Sequence, residues 1–171
     1  MTINVAVIGC GKRFREFYLN PLTRLQNENK IKVINLYNRN IKSNHDLRNI
    51  FDCNITDNLN EILLDKNVNL IVLTLPINLR KKLFLNNKFS PKYLLSETPF
   101  TNNLSQFYKY KKILKNKGVE FEIFEDKFFH DYPNLQNLNF KKIIIFNKLW
   151  EHHALSFFFK IAGKNLSKLE N

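Results

Sequence analysis

Two glycines separated by one residue, at the end of an apolar run, are the part of this sequence best suited to chemistry. The run reads Val5-Ala6-Val7-Ile8-Gly9-Cys10-Gly11-Lys12-Arg13-Phe14 and uses two of only four glycines in the chain. In a strand–turn–helix segment of this kind, the first glycine permits the tight turn. The second lets backbone N–H groups close on a pyrophosphate at a helix N-terminus. Gly9, Cys10, Gly11, Lys12 and Arg13 are therefore the expected contacts of a dinucleotide. Phe14 stands where the fuller G-x-G-x-x-G pattern has its third glycine, so the helix should stand off the strand or be packed through the ring. Cys10 lies near a helix N-terminus, a place that can lower a thiol pKa. Hydrophobic fit under the cofactor is nevertheless its expected role, not nucleophilic attack. The alternative reading of the loop is an ordinary strand-to-helix turn in another kind of α/β protein.

A second checkpoint follows the next apolar run, which ends Tyr37-Asn38-Arg39. An acidic residue there would bind a ribose 2′-hydroxyl. Arg39 can instead pair with a 2′-phosphate and stack on adenine. Asn38 and Arg39 are thus expected cofactor contacts, and NADP(H) is favoured with NAD(H) as the alternative. Without a ligand, Arg39 and Lys42 would read as a solvated basic patch. His152-His153 suggests a metal pair, but neighbours on a helix point about 100° apart and no third ligand accompanies them, so no metal site is expected.

Elements able to position these residues alternate along the chain. Strands are expected at 4–8, 32–37, 54–55, 69–75, 92–96 and 119–124, and helices at 13–27, 44–51, 59–64, 78–85 and 103–117. Pro21 complicates the first helix, and Gly118 is a C-cap candidate for the last. This rhythm predicts an α/β fold, a doubly wound parallel Rossmann sheet with right-handed crossovers. It changes beyond Asp126, where one more strand at 141–146 and one helix at 150–162 are expected. The expected division is a dinucleotide-binding domain at 1–125 and a small, truncated C-terminal α+β remnant at 126–171.

Bulk properties narrow the classes. The chain of 171 residues is 44% hydrophobic and 25% charged, ordinary for a globular domain with room for a core. No apolar run reaches the roughly 18–20 residues of a membrane span, and no basic leader precedes Ile3, so no membrane association and a cytoplasmic location are expected. Cys10 and Cys53 are too few for a disulfide framework. The net charge of +12 raises nucleic acid as a partner. Its lysines, however, are dispersed and lack a reading motif, so only non-specific binding is expected.

Four landmarks in order make the chain similar to the glucose–fructose oxidoreductase/inositol dehydrogenase (Gfo/Idh/MocA) family. They are Gly9-Cys10-Gly11, the turn Thr74-Leu75-Pro76, the segment Ser96-Glu97-Thr98-Pro99-Phe100, and Trp150 to Ser156 running on to Gly163. The resemblance implies an NAD(P)-dependent oxidoreductase of sugar or nucleotide-sugar metabolism. It places Leu75, Pro76, Glu97 and Pro99 around the nicotinamide and His153 near a sugar-like substrate as acid/base. It also puts Thr98 at the position of the family's catalytic lysine, where a hydroxyl carries neither charge nor a useful pKa. Arg80 stands where relatives often have histidine. About forty residues follow Asp131, too few for the family's substrate sheet. Catalysis is therefore expected to be impaired, and a homo-oligomer through the helix carrying Phe157-Phe158-Phe159 is an expectation of the same kind. Two alternatives stand beside this reading: a non-catalytic dinucleotide-binding or regulatory protein, and a basic nucleic-acid-associated Rossmann-like module.

Overall fold

Short apolar runs become the inner strands of one sheet. In the computed structural model, which describes residues 2–124, the strands of that sheet are β1 (Ile3–Ile8), β2 (Ile31–Tyr37), β3 (Asn54–Thr56), β4 (Leu70–Leu73), β5 (Tyr93–Glu97) and β6 (Glu120–Phe124). Their spatial order is β3-β2-β1-β4-β5-β6. The β1–β2, β1–β4, β2–β3 and β4–β5 pairs are all parallel. Val5, Ala6, Val7 and Ile8 have no exposed surface, as a central parallel strand covered on both faces requires. From β1 the chain first builds outward to β3, then returns to β4 on the other side. That reversal makes the β1/β4 boundary a topological switch point, the place where open α/β sheets form a crevice.

The connecting helices are α1 (Lys12–Phe17), α2 (Leu19–Asn27), α3 (His45–Phe51), α4 (Leu59–Leu64), α5 (Ile77–Phe84) and α6 (Leu104–Asn116). One helix was expected over 13–27; the structure has two, parted at Tyr18 where φ is −113°. Pro21 is the third residue of α2, in the first turn, where no backbone N–H is needed for the helical ladder. Residues 41–44 add a short 3-10 turn before α3. Gly118, at φ +70°, ends α6: its N–H donates to Lys115 O and that of Val119 to Leu114 O, a closed C-terminal motif.

Alternation along β1 sends Ala6 and Ile8 to a core shared with α4, α5 and α6, and Val5 and Val7 to the opposite face. Phe84 anchors that core, with ring centroids 5.2 Å from Phe100, 5.3 Å from Tyr110 and 5.9 Å from Phe89. Met1–Ile123 forms one compact unit. Among the described residues no helix is long and apolar enough to cross a membrane. The strand expected at 141–146, the helix at 150–162 with His153, and the C-terminal unit expected at 126–171 lie outside the described residues.

Phe14 settles how α1 meets the sheet, because its ring is completely buried. The helix is packed through the ring where the fuller pattern would bring helix and strand together over a glycine. Phe14→Ala should cost about 3–5 kcal/mol of stability, the range for a buried aromatic truncated to a methyl group. Phe14→Gly, although closer to the common motif, should cost about 1 kcal/mol more from helix propensity. Denaturant unfolding of the full chain measures both; a loss below 1 kcal/mol for Phe14→Ala would contradict the packing role.

Candidate functional site

Register decides where the residues singled out by sequence end up. Ile8 pairs with Tyr37 on one edge of β1 and with Leu73 on the other, and Leu73 pairs with Ser96. Four adjacent strands therefore reach one level row, at about 4.8 Å per strand. The residues immediately beyond that row are Gly9, Asn38, Thr74 and Glu97. The glycine loop, the Asn38-Arg39 pair, the Leu75-Pro76 turn and the Glu97–Pro99 segment thus emerge along a single rim.

Gly9 is held from both sides. Its N–H donates to Tyr37 O at 3.0 Å, and its carbonyl oxygen accepts from the Thr74 hydroxyl. At φ +107° its backbone disfavours a side chain, and a Cβ there would lie 3.1 Å from Leu75 N, Leu75 Cδ2 and Thr74 Oγ1. Gly11, the N-cap of α1, is the opposite case: an added Cβ would meet nothing within 4 Å. The loop is closed toward β4 and open above Gly11. Cys10 points inward, its thiol donating to Tyr37 O at 3.7 Å. Burial pushes its pKa up to about 12, with proximity to Cys53 adding to the shift. The thiol stays protonated at neutral pH and packs as a small hydrophobe. Lys12 is exposed, 3.7 Å from Glu16.

Above this rim lies a cleft of about 420 Å³. Gly9, Gly11, Asn38, Arg39, Leu75 and Pro76 all line it, as do Tyr37, Thr74, Leu59, Leu79, Lys82, Leu83 and Asn86. Leu79, Lys82, Leu83 and Asn86 recur at the spacing of one helical face, so α5 and the turn after it form a wall. That spacing was legible in the sequence. Which face of α5 would turn to the cleft was not, until the helix had a sheet to pack on.

Glu97, Thr98 and Pro99 are absent from the described lining of the cleft. They belong to a polar lock beside it. Arg13 reaches across from α1, with Nη2 2.8 Å from Glu97 Oε1, and its guanidinium also lies 3.8 Å from the centre of the Phe17 ring. Thr98 donates to the same Oε1 through its N–H at 3.0 Å and its hydroxyl at 3.1 Å. Burial pushes the Glu97 pKa up. Arg13, the Tyr18 hydroxyl and the Thr98 N–H together outweigh it and leave the carboxyl below its usual range. The less expected residue is Arg80. It is buried and donates to Leu75 O at 2.7 Å, Glu97 O at 2.5 Å and Pro99 O at 2.7 Å. Burial draws its pKa down to about 10, opposed by Glu97, so it remains a cation at neutral pH. One guanidinium thereby ties the segment after β4 to the turn after β5.

Comparison with known proteins follows the same boundaries. Residues 3–124 match the Gfo/Idh/MocA model, described as an oxidoreductase family with an NAD-binding Rossmann fold. No curated protein matches the chain. Among solved structures, KijD10 from Actinomadura kijaniata, a 3-ketoreductase in complex with NADP and TDP-benzene, superposes with a TM-score of 0.66 at 19% identity, over 80% of this chain and 41% of that one. The probable oxidoreductase yhhX gives 0.65 at 25% identity, over 75% and 37%. The WlbA dehydrogenase from Bordetella pertussis, in complex with NADH and UDP-GlcNAcA, gives 0.61 at 16%, over 73% and 37%. The chain thus spans less than half the length of each of these structures.

The lock yields two measurable consequences. Arg80→Met should destabilise the protein by about 3–5 kcal/mol, since it strips three carbonyl oxygens of a buried donor, and Arg80→Lys should recover only part of this. Glu97 has a lowered folded-state pKa, so its contribution is complete above the unfolded carboxyl value of about 4.3 and is lost as pH falls through the folded value. The stability gap between wild type and Glu97→Gln, followed by denaturant midpoints from pH 7 to pH 3, should accordingly shrink toward acid. A gap that is constant or widens toward acid contradicts the assignment.

Proposed function

Since the chain belongs to the Gfo/Idh/MocA oxidoreductase family, with its NAD-binding Rossmann fold at residues 3–124, we propose that the rim cleft binds a nicotinamide dinucleotide, NADP(H) in preference to NAD(H). The observation that carries this reading is the open space above Gly11 beside a loop whose other glycine is packed tight against β4. A pyrophosphate needs that approach, and a side chain at Gly11 would occupy it. The cleft also has the right chemistry for the adenosine half. Leu59, Leu79 and Pro76 offer apolar surface to a base, Asn38 offers hydrogen bonds, and exposed Arg39 offers a guanidinium to a 2′-phosphate. With no Asp or Glu in the described lining, nothing there repels that charge.

Toward the other end of the rim, the Leu75-Pro76 turn and the Glu97–Pro99 segment would flank the nicotinamide. When bound, the cofactor supplies or accepts a hydride at a substrate carbon. The chain's own part in this reading is to bind and orient, with Arg80 and Arg13 fixing the turns that would flank the ring. Proton transfer is where the chain is weak. Thr98 replaces a lysine, and its hydroxyl is turned to the Glu97 carboxylate. His153 is the proposed acid/base in its place. A sugar or nucleotide sugar is the proposed substrate class, supported by the TDP and UDP ligands of KijD10 and WlbA. Turnover by this chain should be poor, and a role as a dinucleotide-binding protein without turnover is the companion reading, favoured by the engaged Thr98 hydroxyl.

NADPH should bind about tenfold or more tightly than NADH at low ionic strength, the effect of one charge-assisted contact of about 1.5–3 kcal/mol. Arg39→Asp should reverse the order in a fluorescence titration. Equal affinities in the wild type would remove Arg39 from the reading. In a screen of sugars and nucleotide sugars followed by absorbance of the reduced cofactor, wild type should show little turnover. Thr98→Lys alone should restore little of the roughly 10²–10⁴-fold that a positioned acid/base supplies. Robust wild-type turnover abolished by His153→Ala would overturn the impaired reading and make His153 the working group.

A further inference from the structure

Helix α5 carries three consecutive cations, Arg80, Lys81 and Lys82, and successive residues on a helix point about 100° apart. Their fates differ accordingly. Arg80 is buried among strand-end carbonyl groups. Lys81 is exposed and takes no part in the described cleft lining, whereas Lys82 lines the cleft between Leu79 and Leu83. Arg39 lines the same cleft from the end of β2. Neither Arg39 nor Lys82 forms an ion pair among the described residues, and no carboxylate belongs to the described lining of the cleft. Two like charges on one cleft, with no acid between them, form an arrangement that an anion improves.

We propose that Lys82 joins Arg39 to form a two-cation seat for a phosphate monoester on the adenosine ribose, which makes Lys82 a specificity-determining residue of the cleft. The proposal rests on the NADP(H) reading above and adds a second, sequence-distant contact to it. A phosphate monoester carries about −1.5 to −2 charge at neutral pH and three acceptor oxygens, enough for both side chains at once. The fork of Arg39 suits two of those oxygens, and the compact ammonium of Lys82 on its flexible stem suits the third. A dinucleotide without the monoester leaves Lys82 in water, where it serves only the C-terminal turn of α5 by its charge.

The test titrates the full chain with NADPH, NADH, 2′,5′-ADP and 5′-AMP at low ionic strength, following ligand fluorescence or heat. The proteins are wild type, Lys82→Gln, Lys82→Arg and Arg39→Asp. Lys82→Gln should weaken NADPH and 2′,5′-ADP about five- to tenfold and leave NADH and 5′-AMP within about twofold, and Lys82→Arg should keep the preference. Added salt should narrow the gap between wild type and Lys82→Gln. If wild type prefers NADPH and Arg39→Asp abolishes this, but Lys82→Gln weakens both dinucleotides equally or neither, the Lys82 seat is wrong while the NADP(H) reading stands. If wild type binds NADPH and NADH alike, the NADP(H) reading itself fails and the seat falls with it. Thermal unfolding of Lys82→Gln, expected to match wild type because the side chain is exposed, separates a binding loss from a folding loss.

Discussion

β1 is hydrogen-bonded along both edges, to β2 on one side and β4 on the other, and its register with each sets the height of the strand ends. With Ile8, Tyr37, Leu73 and Ser96 in one row, the segments that follow four strands must leave the sheet together. A shift of one residue in the β1–β4 ladder would turn the glycine loop away from the Leu75-Pro76 turn, and one in the β1–β2 ladder would turn it away from Asn38-Arg39, because side chains alternate faces at every step. The cleft, the wall formed by α5 and the polar lock all inherit their positions from this alignment. Complete burial of Val5 to Ile8 protects it, since slippage would have to expose or re-bury apolar groups on both faces.

Polar groups at the rim divide into those that hold the protein and those left for a ligand. Arg13 and Arg80 are spent internally, one on the Glu97 carboxylate and the other on three carbonyl oxygens. Thr98 is spent the same way, its N–H and hydroxyl both on Glu97. Arg39 and Lys82 are the described cations of the cleft itself. This division follows from reach and burial: a guanidinium inside the protein must find acceptors because an unpaired buried charge is costly, whereas one at the rim can remain hydrated until an anion arrives. Among the described residues, the polar groups on the Glu97 side of the rim are engaged with one another, while the Arg39 and Lys82 side is open and cationic.

The family model describes residues 3–124 as an NAD-binding Rossmann fold, and the solved structures share that fold. The chain spans 41% or less of the length of each of these structures. The chemistry proposed for His153 depends on residues beyond that unit. The binding chemistry proposed for the cleft does not.

Much of the unit was legible in the sequence because its signals are local. Apolar runs of four to seven residues closed by Gly, Asn or Pro mark the inner strands, and Gly9-Cys10-Gly11 marks the turn at the end of the first. Element boundaries moved by no more than two residues, apart from the first helix, which breaks at Tyr18, where Pro21 can give no N–H to the Phe17 carbonyl four residues before it. The sequence by itself also determined that no acid follows β2 and that threonine stands at position 98. What only the tertiary structure decided was direction and partnership. Arg13, expected at the cofactor, is paired with Glu97, 84 residues away; Arg80 is a buried clamp; Lys82 is among the residues that line the cleft. Periodicity fixes the angle between residues on one helix, but the face that turns inward is chosen by the sheet the helix packs on, and long side chains then take the nearest opposite charge or carbonyl group that packing brings within reach.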